Sequence, residues 1–301
     1  HLIYFRAVDC INGIGLGLPS PFTLNVDIGT SVSFNPLPPT ITNNSGLIVG
    51  GDMEVGATVV VNIGLSSFPA TYPTASTWQS SVTLQEGTNI IIATATDPAL
   101  HVATATATVV LDTIVPGIPV VKVIDPASPD YYTIGSPPIF TNVAKEIISG
   151  DKEANTALWV NGIEIIPINI FTTFSLPISL SEGLNELHLQ TKDVANNFSA
   201  EAIIYITLDT IPPSGSDILI NDGVAYTLRR NVTLKLTATD AVAVKLSENP
   251  NFPNVEFIPF LTSPLLLPYE LSRGGGTKTV YAVFKDAVGN ESSPVYDDII
   301  L

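Results

Sequence analysis

The sequence predicts an all-β chain of tandem two-sheet sandwiches, and three observations carry that prediction. Segments such as "TATATVVLD" (from Thr104) and "VTLKLTATD" (from Val232) alternate with period two, which sends one row of side chains inward and the next outward. Val, Ile and Thr dominate these runs, and 24 Pro with 21 Gly interrupt the chain so often that no helical stretch survives. The third observation is an internal repeat.

Strand-like segments that end in aspartate recur as "LIYFRAVD" to Asp9, "NIIIATATD" to Asp97, "NELHLQTKD" to Asp193 and "KTVYAVFKD" to Asp286, separated by 88, 96 and 93 residues. Eleven residues before the last three aspartates stand Glu86, Glu182 and Gly275, opening "EGTN", "EGLN" and "GGTK". "LDT" recurs at 111–113 and 208–210, followed by Pro116 or by Pro212 and Pro213. "GDMEVGATVVVN" and "GDKEANTALWVN" align Gly51, Asp52, Glu54 and Asn62 with Gly150, Asp151, Glu153 and Asn161 at a constant offset of 99. The markers agree on one unit of about ninety to a hundred residues. Short strands in units of that size fit immunoglobulin-like sandwiches better than an open barrel.

Within the repeated strand, the positions six and four before the aspartate are Ile3 and Phe5, Ile91 and Ala93, Leu187 and Leu189, Val280 and Ala282. All are apolar and are expected in the core; Tyr4, Ile92, His188 and Tyr281 between them are expected outside. The aspartate then accepts backbone N–H groups in a turn rich in Asn and Gly, as in "DVANN" and "DAVGN". "VNG" at 160–162 and "NDG" at 221–223 are read as hairpin turns, since Asn and Gly accept positive φ. The boundaries follow: 30–112, 113–209 and 210–301 are whole units, and 1–29 is the terminal hairpin of an incomplete fourth. A lone hairpin with an apolar face is unstable in water. Either the rest of that unit lies upstream in a longer precursor, or the hairpin inserts into another molecule. The start at His1, with neither an initiator Met nor a signal peptide, is read as a processed product or an excerpt.

Composition restricts the function classes. Twelve Lys and Arg against 28 Asp and Glu give a net charge of -16, which repels a phosphate backbone and argues against nucleic-acid binding. A hydrophobic fraction of 45% with 13% charged residues argues against disorder. No apolar run reaches the roughly 18 residues of a membrane span. The single cysteine, Cys10, excludes an intrachain disulfide.

Enzyme motifs are absent, and the chain is read as no enzyme. "GIGLG" at 13–17 lacks the further glycine of a dinucleotide loop, and "GGGTKT" at 274–279 lacks phosphate-loop spacing. His1, His101 and His188 fall in different units without metal-ligand spacing, and no histidine follows Cys10 closely in sequence. No catalytic, cofactor-binding or metal residue is assigned. Four N-x-[ST] sequons mark Asn43, Asn197, Asn231 and Asn290 as glycosylation candidates. Trp78 and Trp159 are expected in cores. The runs 165–180 and 259–271 are more apolar than one sandwich face requires; they are either core strands or lateral contacts between subunits.

The patterns "EGTN...ATATD...ATVVLDT...P", "EGLN...QTKD...YITLDTIPP" and "GGGTKTVYAVFKDAVGNESSPV" resemble the tandem bacterial immunoglobulin-like repeats of large secreted and cell-surface proteins. "DPALHVA" at 97–103 departs from that pattern in lacking the Gly-Asn turn. The resemblance implies an extracellular or cell-surface prokaryotic location and a structural role in a fibre, filament or stalk. Partners are then further copies in a homopolymer, or neighbouring repeats of the same chain. It also implies linker calcium as a candidate ligand of Asp112 and Asp209, although each linker offers one carboxylate and Ca²⁺ needs six to eight oxygens. Inter-subunit contact is assigned to Leu2, Ile3, Tyr4, Phe5, Phe22 and Leu24 of the first hairpin, by strand addition to a neighbour. The alternative function is an adhesin or carbohydrate-binding spacer with a carbohydrate or host-surface ligand.

Overall fold

The computed structural model describes residues 29–123 and 139–301, which divide between Asp112 and Thr113 into two compact units. Among them are 23 strands and one short 3₁₀ turn, with no α-helix. The first unit holds β1 (Ile41–Thr42), β2 (Gly46–Asp52), β3 (Thr58–Ile63), β4 (Ser66–Pro69), β5 (Thr71–Thr74), β6 (Thr77–Thr83), β7 (Gly87–Thr96) and β8 (Val102–Leu111). One sheet runs β1-β8-β7-β3-β4 and the other β2-β6-β5. The inward rows Val59, Val61, Ile91, Ala93, Ala95 and Val109 meet Val49, Trp78 and Val82 in one core. Trp78 is 1% exposed and meets Phe34 edge-on at 5.4 Å.

The second unit holds two further sandwiches, each with its own core. The first comprises β9 (Val120–Val123), β10 (Ile139–Thr141), β11 (Lys145–Asp151), β12 (Thr156–Val160), β13 (Ile163–Asn169), β14 (Thr173–Ser179), β15 (Gly183–Lys192) and β16 (Ala202–Leu208). Its sheets run β10-β16-β15-β12-β13 and β14-β11-β9. The last comprises β17 (Ser214–Ile220), β18 (Asn231–Thr239), β19 (Ala243–Ser247), β20 (Ile258–Pro259), β21 (Leu265–Glu270), β22 (Thr277–Lys285) and β23 (Val295–Ile300), in sheets β17-β18-β21 and β20-β19-β22-β23. The fold is therefore all-β and made of tandem β-sandwiches.

One feature common to the three sandwiches protects a sheet edge. An early segment pairs parallel with the last strand: β1 with β8, β10 with β16, and Tyr226 with Ile300. That pairing occupies backbone groups of the last strand that would otherwise template another chain.

The repeated strand behaves as its alternation requires. Ile91, Ala93, Leu189, Val280 and Ala282 are fully buried and Leu187 packs against its core, while Ile92, His188 and Tyr281 lie on the outer row. Ile3 and Phe5 lie outside the described residues. "VNG" is a two-residue hairpin turn, with φ +51° at Asn161, φ +76° at Gly162, and Val160 paired to Ile163. "NDG" is not a hairpin turn. Asn221–Gly223 forms the 3₁₀ turn, and the chain first reaches Tyr226, beside Ile300, before returning as β18, the antiparallel partner of β17. Positive φ was legible there, but the detour is set by the distant edge of β23.

The two apolar runs divide between core and surface. Phe174 and Leu176 are buried, and Leu265, Leu267 and Tyr269 pack inward, whereas Ile165, Ile168, Ile170, Phe171, Leu261 and Leu266 are exposed.

Met53 and Lys152 occupy the same repeat position, yet one is a core thioether and the other an ammonium only 5% exposed. Lys152 Nζ donates to the carbonyl oxygens of Thr156 at 2.9 Å and Glu153 at 3.3 Å. Burial holds its pKa below the ordinary lysine value of 10.5. Lys152→Met is therefore expected to stabilise the protein by about 1–2 kcal/mol at pH 7. The cost of charging the buried amine is complete below its folded pKa and fades as pH rises toward the unfolded value. The advantage of the variant should then shrink between pH 7 and pH 10; urea unfolding at both would refute this if the variant were less stable at pH 7.

Candidate functional site

The polar side chains of the repeat markers converge on turns and on the joint between the last two sandwiches. After each repeated strand, an aspartate and the residue four positions later close a loop. Asp193 Oδ1 accepts the Asn197 N–H at 2.8 Å and its Oδ2 accepts Asn197 Nδ2 at 2.9 Å. Asp286 Oδ1 accepts the N–H groups of Val288, Gly289 and Asn290 at 3.0, 2.7 and 2.8 Å, and its Oδ2 accepts Asn290 Nδ2 at 2.8 Å. In the first sandwich His101 takes the asparagine's place, its N–H 2.9 Å from Asp97 Oδ1 and its Nδ1 2.8 Å from Oδ2. "DPALHVA" thus keeps the turn with a different donor. Burial pushes the Asp97 pKa up, but the backbone and ring hydrogen bonds from His101 outweigh it and hold the carboxyl below its ordinary value.

The repeat's other markers serve the same end. The asparagines of "EGTN" and "EGLN" tie down the preceding turn: Asn89 joins Gln85 and Gly87, and Asn185 joins Ser181 and Gly183. Gly87 and Gly183 hold φ of +88° and +86°, which explains the glycine. The Glu182 carboxylate accepts the Thr210 hydroxyl at 2.8 Å and its N–H at 3.2 Å, coupling "EGLN" to "LDT".

These elements meet at the joint between the last two sandwiches. Asn290 Nδ2 bridges Asp286 Oδ2 and the carbonyl oxygen of Asp209, each at 2.8 Å. Asp209 Oδ1 accepts the Ile211 N–H at 3.1 Å, and its own N–H donates to Thr141. Asp112 likewise donates its N–H to Thr42. Among the described residues no three His, Asp or Glu side chains converge as metal ligands.

The sequons separate by environment. Asn43 and Asn231 are exposed, while Asn197 and Asn290 commit the Nδ2 atom that a glycan would occupy to the turn aspartates. The contact candidates Leu2, Ile3, Tyr4, Phe5, Phe22 and Leu24, with Cys10 and His1, lie outside the described residues.

A second cluster covers the outer face of the β15 sheet. His188 is held between carboxylates, Nδ1 at 2.8 Å from Glu201 and Nε2 at 3.2 Å from Glu186. The hydrogen bond to Glu201 raises its pKa, helped by the charges of both glutamates and opposed by burial. Trp159 meets Phe198 edge-on at 5.2 Å, and Lys192 Nζ sits 5.0 Å from the Trp159 ring centroid. Trp159 is thus half-buried on an outer face rather than in the core, because its position in β12 is the outward one. The alternation was legible; the neighbours that gather around the ring come from other strands.

No protein-family model matches the chain, and no curated protein matches its sequence. Solved structures with similar folds include Clostridium thermocellum CbhA fibronectin(III)-like modules, at 15% identity and TM-score 0.38, covering 60% of this chain and 94% of that one. A 1.5-MDa bacterial ice-binding adhesin aligns at 14% identity and TM-score 0.36, over 91% of this chain and 98% of that one. The chicken CNTN1 FN1-FN3 domains align at 9% identity and TM-score 0.33, over 90% and 97%. The functional reading rests on the chain's own geometry.

Proposed function

We propose that this chain is a non-enzymatic structural module of an extracellular or cell-surface prokaryotic protein, divided at 30–112, 113–209 and 210–301, that assembles into a fibre, filament or stalk. Residues 1–29 complete a sandwich in a neighbouring copy by strand addition. The observation that supports this most is the Asn290 bridge: the amide that closes one sandwich's turn also ties that sandwich to the preceding one through Asp209. Polar groups in the repeat markers are engaged in holding modules and joints, a mechanical use. Purified protein should form filaments by electron microscopy, and deletion of residues 1–29 should abolish them while leaving the far-UV spectrum β-rich. Filaments that persist after the deletion would overturn the strand-addition mechanism.

A second reading, an adhesin or carbohydrate-binding spacer, draws on the Trp159, Phe198 and Lys192 cluster and its polar surroundings on β15. It requires dispersed rods in the same micrographs.

A further inference from the structure

The outer faces of the three major sheets differ in one respect that bears on assembly. In the second sandwich that face carries Glu186, His188, Lys192 and Glu201, and in the third it carries Lys245, Lys285 and Asp298. In the first, β3, β4, β7 and β8 contain no Asp, Glu, Lys, Arg or His at all. Residues 30–112 include no Lys or Arg, and their acids, Asp52, Glu54, Glu86, Asp97 and Asp112, all fall outside those four strands. The exposed row is mostly β-branched: Val60, Ile90, Ile92 and Val102 stand among Thr94, Thr104 and Thr106, with the uncharged Asn62 opposite Ile92 and with Ile90 53% and Val102 62% exposed.

We propose that this face is a self-association surface on which a second copy of the chain packs sheet to sheet, through the same residues on both. The charge distribution selects that occupant. Two copies at a net charge of -16 repel, so they approach most cheaply where neither presents a charge. A nucleic acid or anionic lipid surface would need basic residues, and a stacked sugar would need an aromatic ring; the outward positions of β3, β7 and β8 offer neither. Val, Ile and Thr are already stiff at χ1, so docking them costs little rotamer entropy. Strand rise and spacing bound the face at roughly 34 by 14 Å, the full length being reached only along β7 and β8 and less along β3 and β4. Doubled over two copies, that area falls below the range of stable interfaces, so the contact should be weak and reversible. The inference deepens the assembly reading above with a side-by-side contact that needs no residue of 1–29.

Sedimentation of the full chain from about 1 to 300 μM should show a concentration-dependent dimer. It should tighten when NaCl rises from about 0.05 to 0.5 M, because salt screens the repulsion while the face holds no charge to lose. Thr106→Glu and Ile92→Glu should each weaken it at least tenfold. Leu184→Glu changes the net charge equally on the corresponding face of the second sandwich and should leave it within about twofold. Deleting residues 1–29 should remove filaments without removing the dimer, so the two mechanisms fail separately. A chain monomeric throughout that range, or a dimer indifferent to Thr106→Glu, would overturn the proposal.

Discussion

Gly150→Ala is expected to destabilise the Thr113–Leu301 unit by about 3 kcal/mol and to release β9 from β11. Gly150 pairs with Val121 in a register that already shifts between Ser149 and Gly150. A Cβ at Gly150 would fall on the carbonyl oxygen of Val120, with Phe174 Cζ at 2.8 Å. Neither obstacle yields cheaply, since one is backbone and the other a buried ring. Gly51, the equivalent position in the first sandwich, meets the Ser33 carbonyl oxygen in the same way. The strict offset of the two glycines is therefore a requirement for close approach of the first segment in each of the first two sandwiches. Gly183→Ala provides the contrast: φ is +86° but nothing lies within 4 Å, so the loss should be about 1 kcal/mol. Urea unfolding followed by tryptophan fluorescence separates the two. Equal losses would sink the steric explanation.

Asp286→Ala should cost about 2–4 kcal/mol and loosen the last joint. The side chain is 2% exposed and accepts three backbone N–H groups and the Asn290 amide. Its removal leaves those donors without their partner and frees the amide that holds the Asp209 carbonyl. Asp286→Asn keeps an acceptor for the backbone but sets an NH₂ or a weaker oxygen against Asn290 Nδ2, so it should recover part of the loss. Hydrogen exchange should show faster exchange at Val288, Gly289 and Asn290 in the alanine variant. Unchanged protection there would contradict the role assigned to the carboxylate.

Much of this architecture is legible before any coordinates. The alternation around Ile91, Leu189 and Val280 identifies core rows because strand geometry alone places every second side chain on one face. The turn aspartates were legible from residue type, and so was the Asn161–Gly162 hairpin. His101 was harder: a histidine in a loop gives no sign that its ring will replace an asparagine amide, and only the geometry at Asp97 reveals it. The repeat offset sets Lys152 on Met53, but a lysine is ordinarily exposed, and only the structure shows that both positions are buried.

Residue order alone therefore settles the β class, the repeat, the inward rows and the local turns, since each depends on neighbours a few positions apart. Folding decides what distant segments do to one another. Examples are the Asn290 reach across 81 residues to Asp209, the carbonyl oxygens that forbid side chains at Gly51 and Gly150, and the detour from Asn221 to the edge of β23. Such contacts are set by chain segments that meet only once the sheets have stacked, and no short-range pattern encodes where they will meet.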